Sequence, residues 1–148
     1  MRNPVNQLQN PLVLIGRILL SLMFVLGGFS KIGGFAGTVG YMQSAGVPAA
    51  SLLAALTIVL EIGGGLALLF GLYTRWAALA LGLFTLLVSF LFHNFWVMPE
   101  AQQMTNQLMF MKNMAVAGGM FALAAFGAGT LSLDAGRSTR AVAAANRR

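Results

Sequence analysis

The chain has 148 residues, 58% of them hydrophobic and only 8% charged, with a formal net charge of +6. A soluble domain carries about a quarter charged residues, so this composition excludes one and describes an integral membrane protein. With no cysteine and one histidine, the protein cannot itself run thiol–disulfide chemistry or ligate a haem through two histidines of one subunit.

Residues 1–10 (MRNPVNQLQN) form a polar N-terminal segment, followed by an apolar run over about 11–33. That run is too long for a removed signal peptide and lacks its small-residue cleavage site. Arg17 and Lys31 interrupt it, at a spacing that places both within ~40° of one direction on a helix. Ser21, Phe24 and Gly28 share that stripe, which is expected to face inward. Residues 34–47 (GFAGTVGYMQSAGV) are glycine-rich and too polar to span. They predict a short interfacial helix or re-entrant loop, ended by the Gly46-Val47-Pro48 turn.

The second span covers about 49–71 and holds one carboxylate, Glu61, inside LLAALTIVLEIGGGLALLFG. Near mid-membrane an ionised side chain costs at least a few kcal/mol unless paired. Its helical neighbours Thr57, Ile58, Gly64 and Gly65 make a small, partly polar face that another helix can approach. After a tight Leu72–Arg75 connection the third span runs over about 76–96 and ends in Phe92-His93-Asn94-Phe95-Trp96. Tyr73 and Trp76 are placed as interfacial aromatics. A loop carrying Glu100 leads to the fourth span, about 107–129, with Lys112 and Asn113 near its start. Residues 130–148 are a basic tail with Asp134, Arg137, Arg140, Arg147 and Arg148.

The expected fold is all-α: a four-transmembrane-helix bundle over 11–129, with a short interfacial helix or re-entrant loop between the first two spans. Four spans put both termini on one side. Arg2, Arg75 and the tail arginines assign that side to the cytoplasm, and the scattered basic residues report orientation rather than a nucleic-acid partner. GGLALLFG at 64–71 and GGMFALAAFG at 118–127 echo each other weakly, as two helical hairpins related by a parallel repeat would, or as two glycine-rich helices do by coincidence.

Counting rise per residue from the cytoplasmic ends puts Arg17 ~9 Å and Glu61 ~15 Å deep, so the two are expected to pair. Lys31 and Lys112 are cations toward the outer side, against the usual bias. The plain account is snorkelling to the interface, with Glu100 as partner. The sharper account is an outward pocket in which Lys31, Lys112, His93 and Asn94 offer donors to an anionic or carbonyl-bearing group, a quinone headgroup or a lipid phosphate. Trp96, Phe92 and Phe95 would stack on a ring. On its own, a single His93 reads as an interfacial, hydrogen-bonded residue or as a proton carrier. Methionines 98, 104, 109, 111 and 114 read as apolar filler rather than a copper site, and no metal is expected.

Several motifs resemble the DoxX family of small four-helix membrane proteins. They are Gly16-Arg17, Phe24 and Gly27-Gly28-Phe29-Ser30-Lys31, then Gly46-Val47-Pro48, Glu61-Ile62-Gly63-Gly64 through Gly71, and Thr74-Arg75. His93-Asn94-Phe95-Trp96 and Lys112-Asn113 with Gly118-Gly119 complete a likeness over about 12–133. The resemblance implies a bacterial inner-membrane protein tied to quinone-linked oxidation, with relatives linked to oxidative-stress complexes. Distant members of the wider superfamily resemble cargo receptors or assembly chaperones.

Two functions from different classes follow. In the first, the chain binds a quinone or lipid headgroup in support of a membrane redox complex, and any enzymatic role is that of a quinone-linked oxidoreductase subunit. Glu61 and His93 would carry protons, and Arg17, Lys31, Asn94, Trp96, Lys112 and Asn113 would form the binding shell. Electrons would come from a partner or a bound quinol. In the second, it is a non-enzymatic scaffold or assembly chaperone whose intramembrane charges and glycine faces bind other membrane proteins. A proton-coupled transporter is a third option that would need a homo-oligomer to enclose a path.

Overall fold

A computed structural model describes residues 4–145, which are helical with short connections. The helices are α1 (Pro4–Gly33), α2 (Phe35–Ser44), α3 (Ala50–Phe70), α4 (Thr74–Phe92), α5 (Glu100–Phe126) and α6 (Leu133–Ala145), with a 3-10 turn at Phe95–Val97. Four stretches are long and apolar enough to cross a bilayer: Leu8–Gly33, Ala50–Phe70, Thr74–Val97 and Glu100–Phe126. The four-span, all-α reading is therefore correct.

The boundaries differ where polar residues are also good helix formers. α1 starts at Pro4, inside the segment read as a polar lead. α5 starts at Glu100, so most of the loop expected before the fourth span is helix. Pro99 fixes its entry, and Glu100-Ala101-Gln102-Gln103-Met104 favour the helical state at little entropic cost. The tail folds as well: Leu133–Ala145 is helix. Arg2, Arg147 and Arg148, used above for orientation, lie outside the described residues.

Residues 34–47 resolve in favour of the short helix. α2 has 10 residues, about 15 Å, too short to span. It closes on Gly46 at φ 74°, with Gly46 N–H donating to Gln43 O and Val47 N–H to Met42 O. A left-handed residue is what such a terminus requires, and glycine meets it without a Cβ penalty.

The spans pair as two hairpins, α1 with α3 and α4 with α5, and α3 meets α4 over a thinner seam. Missing side chains set the register of the first pair. A Cβ on Gly28 would lie 2.5 Å from Ile62 Cγ1, and one on Gly65 would lie 2.8 Å from Val25 Cγ2. These two contacts bring α1 and α3 to backbone distance, the small-residue packing that replaces hydrophobic drive inside a bilayer. One core cluster forms around Phe24, Leu68, Leu81 and Met120. A second, toward α2, joins Met42, Ala50, Ala54 and Phe92.

Candidate functional site

The register that joins Gly28 to Ile62 and Gly65 to Val25 places Arg17 beside Gly71, at the far end of α3. Ten residues of helix, about 15 Å, separate Gly71 from Glu61, so the expected Arg17–Glu61 pair does not form. Arg17 is instead only 2% exposed, and donates from Nη1 to Ala128 O and from Nη2 to Leu131 O, both at 2.8 Å. These carbonyls follow the C-terminus of α5, where the helix dipole favours a cation. Arg17 is a clamp between the first span and the α5–α6 connection, not part of a binding shell.

Glu61 takes Lys31 as its partner. Lys31 Nζ donates to Oε1 at 3.0 Å and to Oε2 at 2.8 Å. Glu100, considered above for Lys31, is the exposed first residue of α5. The Lys31 and Glu61 side chains are 32% and 9% exposed, so the pair is partly open on the lysine side. Breaking it by removing one partner would strand a charge at low dielectric, typically at about 3–5 kcal/mol. An ammonium has three donors, and two serve the carboxylate.

The opening leads into a cavity of about 430 Å³ between α1, α2, α3 and α4. Its polar lining is Lys31, Glu61, Thr38, Thr57, Tyr41 and His93. Much of the rest is aliphatic: Leu53, Leu56, Leu87 and Leu91 line it and are also 38%, 53%, 58% and 49% exposed on the outside of the bundle. These leucines flank the thin α3–α4 seam, so the cavity opens sideways, toward lipid. Tyr41 stacks on Phe92 with ring centroids 5.4 Å apart, and its hydroxyl donates to Phe92 O at 3.4 Å. That contact ties α2 across the cavity as a roof. A mainly apolar cleft with a few converging polar groups is the usual form of a small-molecule site.

Of the residues named from sequence, Lys31, Glu61 and His93 come together here. Lys112 is exposed on α5 and Asn113 is buried on the same helix, neither in the cavity wall. Asn94 precedes the 3-10 turn. Trp96 is 53% exposed and packs with Phe90, Phe95 and Phe110, away from the cavity. Thr38, Tyr41 and Asn106 were not singled out. Tyr41 sits in a stretch legible as interfacial, while Asn106 carries no local signal; only the fold brings it to His93.

A second cluster lies at the terminus end. The Asp134 carboxylate accepts from Tyr73 N–H at 2.8 Å and Thr74 N–H at 2.9 Å, capping α4. Partial burial pushes its pKa up, but the Thr74 and Tyr73 backbone N–H groups outweigh this and hold it below the usual carboxylate range. The bond that Arg137 donates to Tyr73 Oη holds the guanidinium above its ordinary value, and its Cζ lies 4.4 Å from the Tyr73 ring centroid.

Residues 12–94 match the family profile described as DoxX. This chain belongs to the DoxX family. The match takes in every residue of the cavity wall, from Lys31 to His93. Inner membrane protein YqjF of Escherichia coli (strain K12) is 45% identical over 130 residues, covering 88% of this chain and 95% of that protein. Inner membrane protein YphA of the same organism is 37% identical over 123 residues, covering 83% and 88%. The ER-derived vesicles protein ERV29 of Saccharomyces cerevisiae is 28% identical over 123 residues, 83% of this chain but 33% of its own length. No solved structure matches. With four spans of its own, this DoxX-family chain is an integral inner-membrane protein.

Proposed function

We propose that the protein binds a neutral, quinone-type headgroup in the lateral cavity, with both termini in the cytoplasm, in support of a membrane redox complex. The observation that carries this reading is the Lys31–Glu61 pair, open on its lysine side, on the wall of a cleft that is otherwise mostly apolar and open to lipid. A phosphate would need the uncompensated ammonium groups once expected of Lys31 and Lys112. Here Lys31 is neutralised by Glu61 and Lys112 is elsewhere, so an anion would meet a carboxylate with no cation to spare. A neutral ring bearing carbonyl or hydroxyl oxygens meets no such repulsion, and the third donor of Lys31 is available to it. Its isoprenoid tail leaves between Leu53 and Leu56 on one helix and Leu87 and Leu91 on the other.

Mass spectrometry of small molecules carried by gently purified protein tests this. Wild type should hold a quinone in stoichiometric amount, and Leu87→Trp, which fills the cleft, should hold none. Lys31→Met/Glu61→Gln, which removes the pair without stranding a charge, should hold much less. Bulk phospholipid alone, equal in all samples, would sink the reading. It would favour the non-enzymatic scaffold or assembly chaperone, which needs no occupied cavity.

A further inference from the structure

His93 caps the C-terminal end of α4, and its ring is held by a residue from another helix. His93 Nδ1 lies 3.0 Å from Asn106 Oδ1 on α5. The amide of Asn106 is itself oriented, because its Nδ2 donates to Gln102 O at 3.0 Å. Flipping that amide would set two oxygens against each other, so Oδ1 must face the histidine and can only accept. The proton of the neutral ring is therefore on Nδ1, and Nε2 carries a lone pair. Among the described residues Nε2 has no hydrogen-bond partner, and His93 lines the cavity while Asn106, on the Nδ1 side, does not.

We infer that Asn106 is a positioning residue that fixes the His93 tautomer, so that His93 Nε2 accepts a hydrogen bond from a ligand hydroxyl and the site favours the reduced, hydroxyl-bearing headgroup. This deepens the quinone reading and rests on it. A quinone has only acceptor oxygens and would set a carbonyl against the Nε2 lone pair; the hydroquinone donates there. Along α4, Phe84 and His93 mark the two ends of the cavity wall, about 13 Å apart. Lys31 from α1 and His93 from the end of α4 line this one cavity. Lys31 then donates to one oxygen, which as a hydroxyl still has lone pairs, and Nε2 accepts from the other. Asn106 touches no ligand and acts through the ring alone.

The single histidine makes the test clean, because nitrogen-15 histidine labelling gives a spectrum of His93 alone. The full chain in phospholipid nanodiscs should show the Nδ1–H tautomer. Asn106→Leu should lose that preference, and Asn106→Asp, which still accepts from Nδ1, should keep it at alkaline pH, where its carboxylate does not also hold a proton on Nε2. A short-chain benzoquinone and the same compound reduced with dithionite are then titrated into each protein. Wild type and Asn106→Asp should bind the reduced form about tenfold more tightly, one good hydrogen bond's worth. Asn106→Leu and His93→Phe should bind both forms alike. An Nε2–H tautomer in wild type, or a preference that survives Asn106→Leu, overturns the inference while leaving quinone binding intact. If neither form binds any of the proteins, the quinone reading fails and takes the preference with it.

Discussion

Glycines decide where the charged side chains of this protein end up. Gly28 and Gly65 fix the α1–α3 register, and that register hands Glu61 to Lys31 rather than Arg17. Gly71 does similar work at the other end. It is left-handed at φ 68°, and a Cβ there would come within 2.5 Å of both Arg17 Nη1 and Ser132 Cβ. Gly71→Ala should therefore lower stability by about 2 kcal/mol or more, since left-handed strain alone costs ~1–2 kcal/mol. Gly118→Ala, with nothing within 4 Å, should melt like wild type. Equal thermal midpoints for the two variants in the same detergent would refute this. At this scale the sequence was half legible. A carboxylate amid twenty apolar residues announces that it needs a partner, but the partner depends on interhelical register. Depth counted from estimated span ends misplaces Arg17, because α1 begins at Pro4 and the glycine contacts, not the ends, align the helices.

At the scale of elements, the spans were plain and the polar helices were not. Hydropathy finds segments that bury side chains in lipid; it is silent on Glu100–Gln107, whose backbone becomes helical without becoming apolar. It is equally silent on α6, which the rest of the molecule recruits through one carboxylate. Asp134 caps α4 across the Gly71–Tyr73 turn, where Tyr73, a non-glycine residue, is itself left-handed at φ 49°. The Asp134 backbone N–H in turn donates to Gly71 O at 2.9 Å. Asp134→Ala should loosen α6 at a cost of about 1 kcal/mol. The pH dependence follows from the lowered pKa. The folded value lies below the unfolded one, so the cap contributes fully above the unfolded pKa and is lost as pH falls through the folded one. Tryptic cleavage at Arg137 reads this at neutral pH: it should be faster in Asp134→Ala than in wild type. For the acid limb, an acid-active protease should find α6 protected in wild type until the pH is below the ordinary aspartate pKa. Protection lost at an ordinary aspartate pKa would show that the cap has no such depressed titration.

Across the whole molecule, the cavity was the least legible feature. It exists because α3 and α4 touch along a thin seam while α2 roofs them, and no local pattern encodes the width of a seam. Lys31 and His93 were recognisable as out of place; that they share a wall, and that Lys112 and Trp96 do not, is a product of tertiary packing. The same packing closes the bundle on itself. Besides the Arg17 clamp, Thr130 N–H donates to Asn10 Oδ1 at 3.1 Å, so the first span is stitched to the segment after the last. A chain truncated after Phe126 keeps all four spans yet lacks both stitches. It should insert but lose its sharp thermal transition, whereas truncation after Ala145 should not. Indistinguishable melting of the two would show the stitches to be incidental.

These stitches also set an order of events at birth. Ala128, the first acceptor for Arg17, lies 111 residues further along the chain, and a ribosome adding ~5–20 residues per second reaches it roughly 6–20 s later. For that interval the opening helix carries a guanidinium with no protein carbonyl to receive it, and must leave it near water, headgroups or the insertion machinery. α1, made well before the segment that anchors it, thus settles late, and a ribosome that stalls inside α5 would leave that helix unanchored.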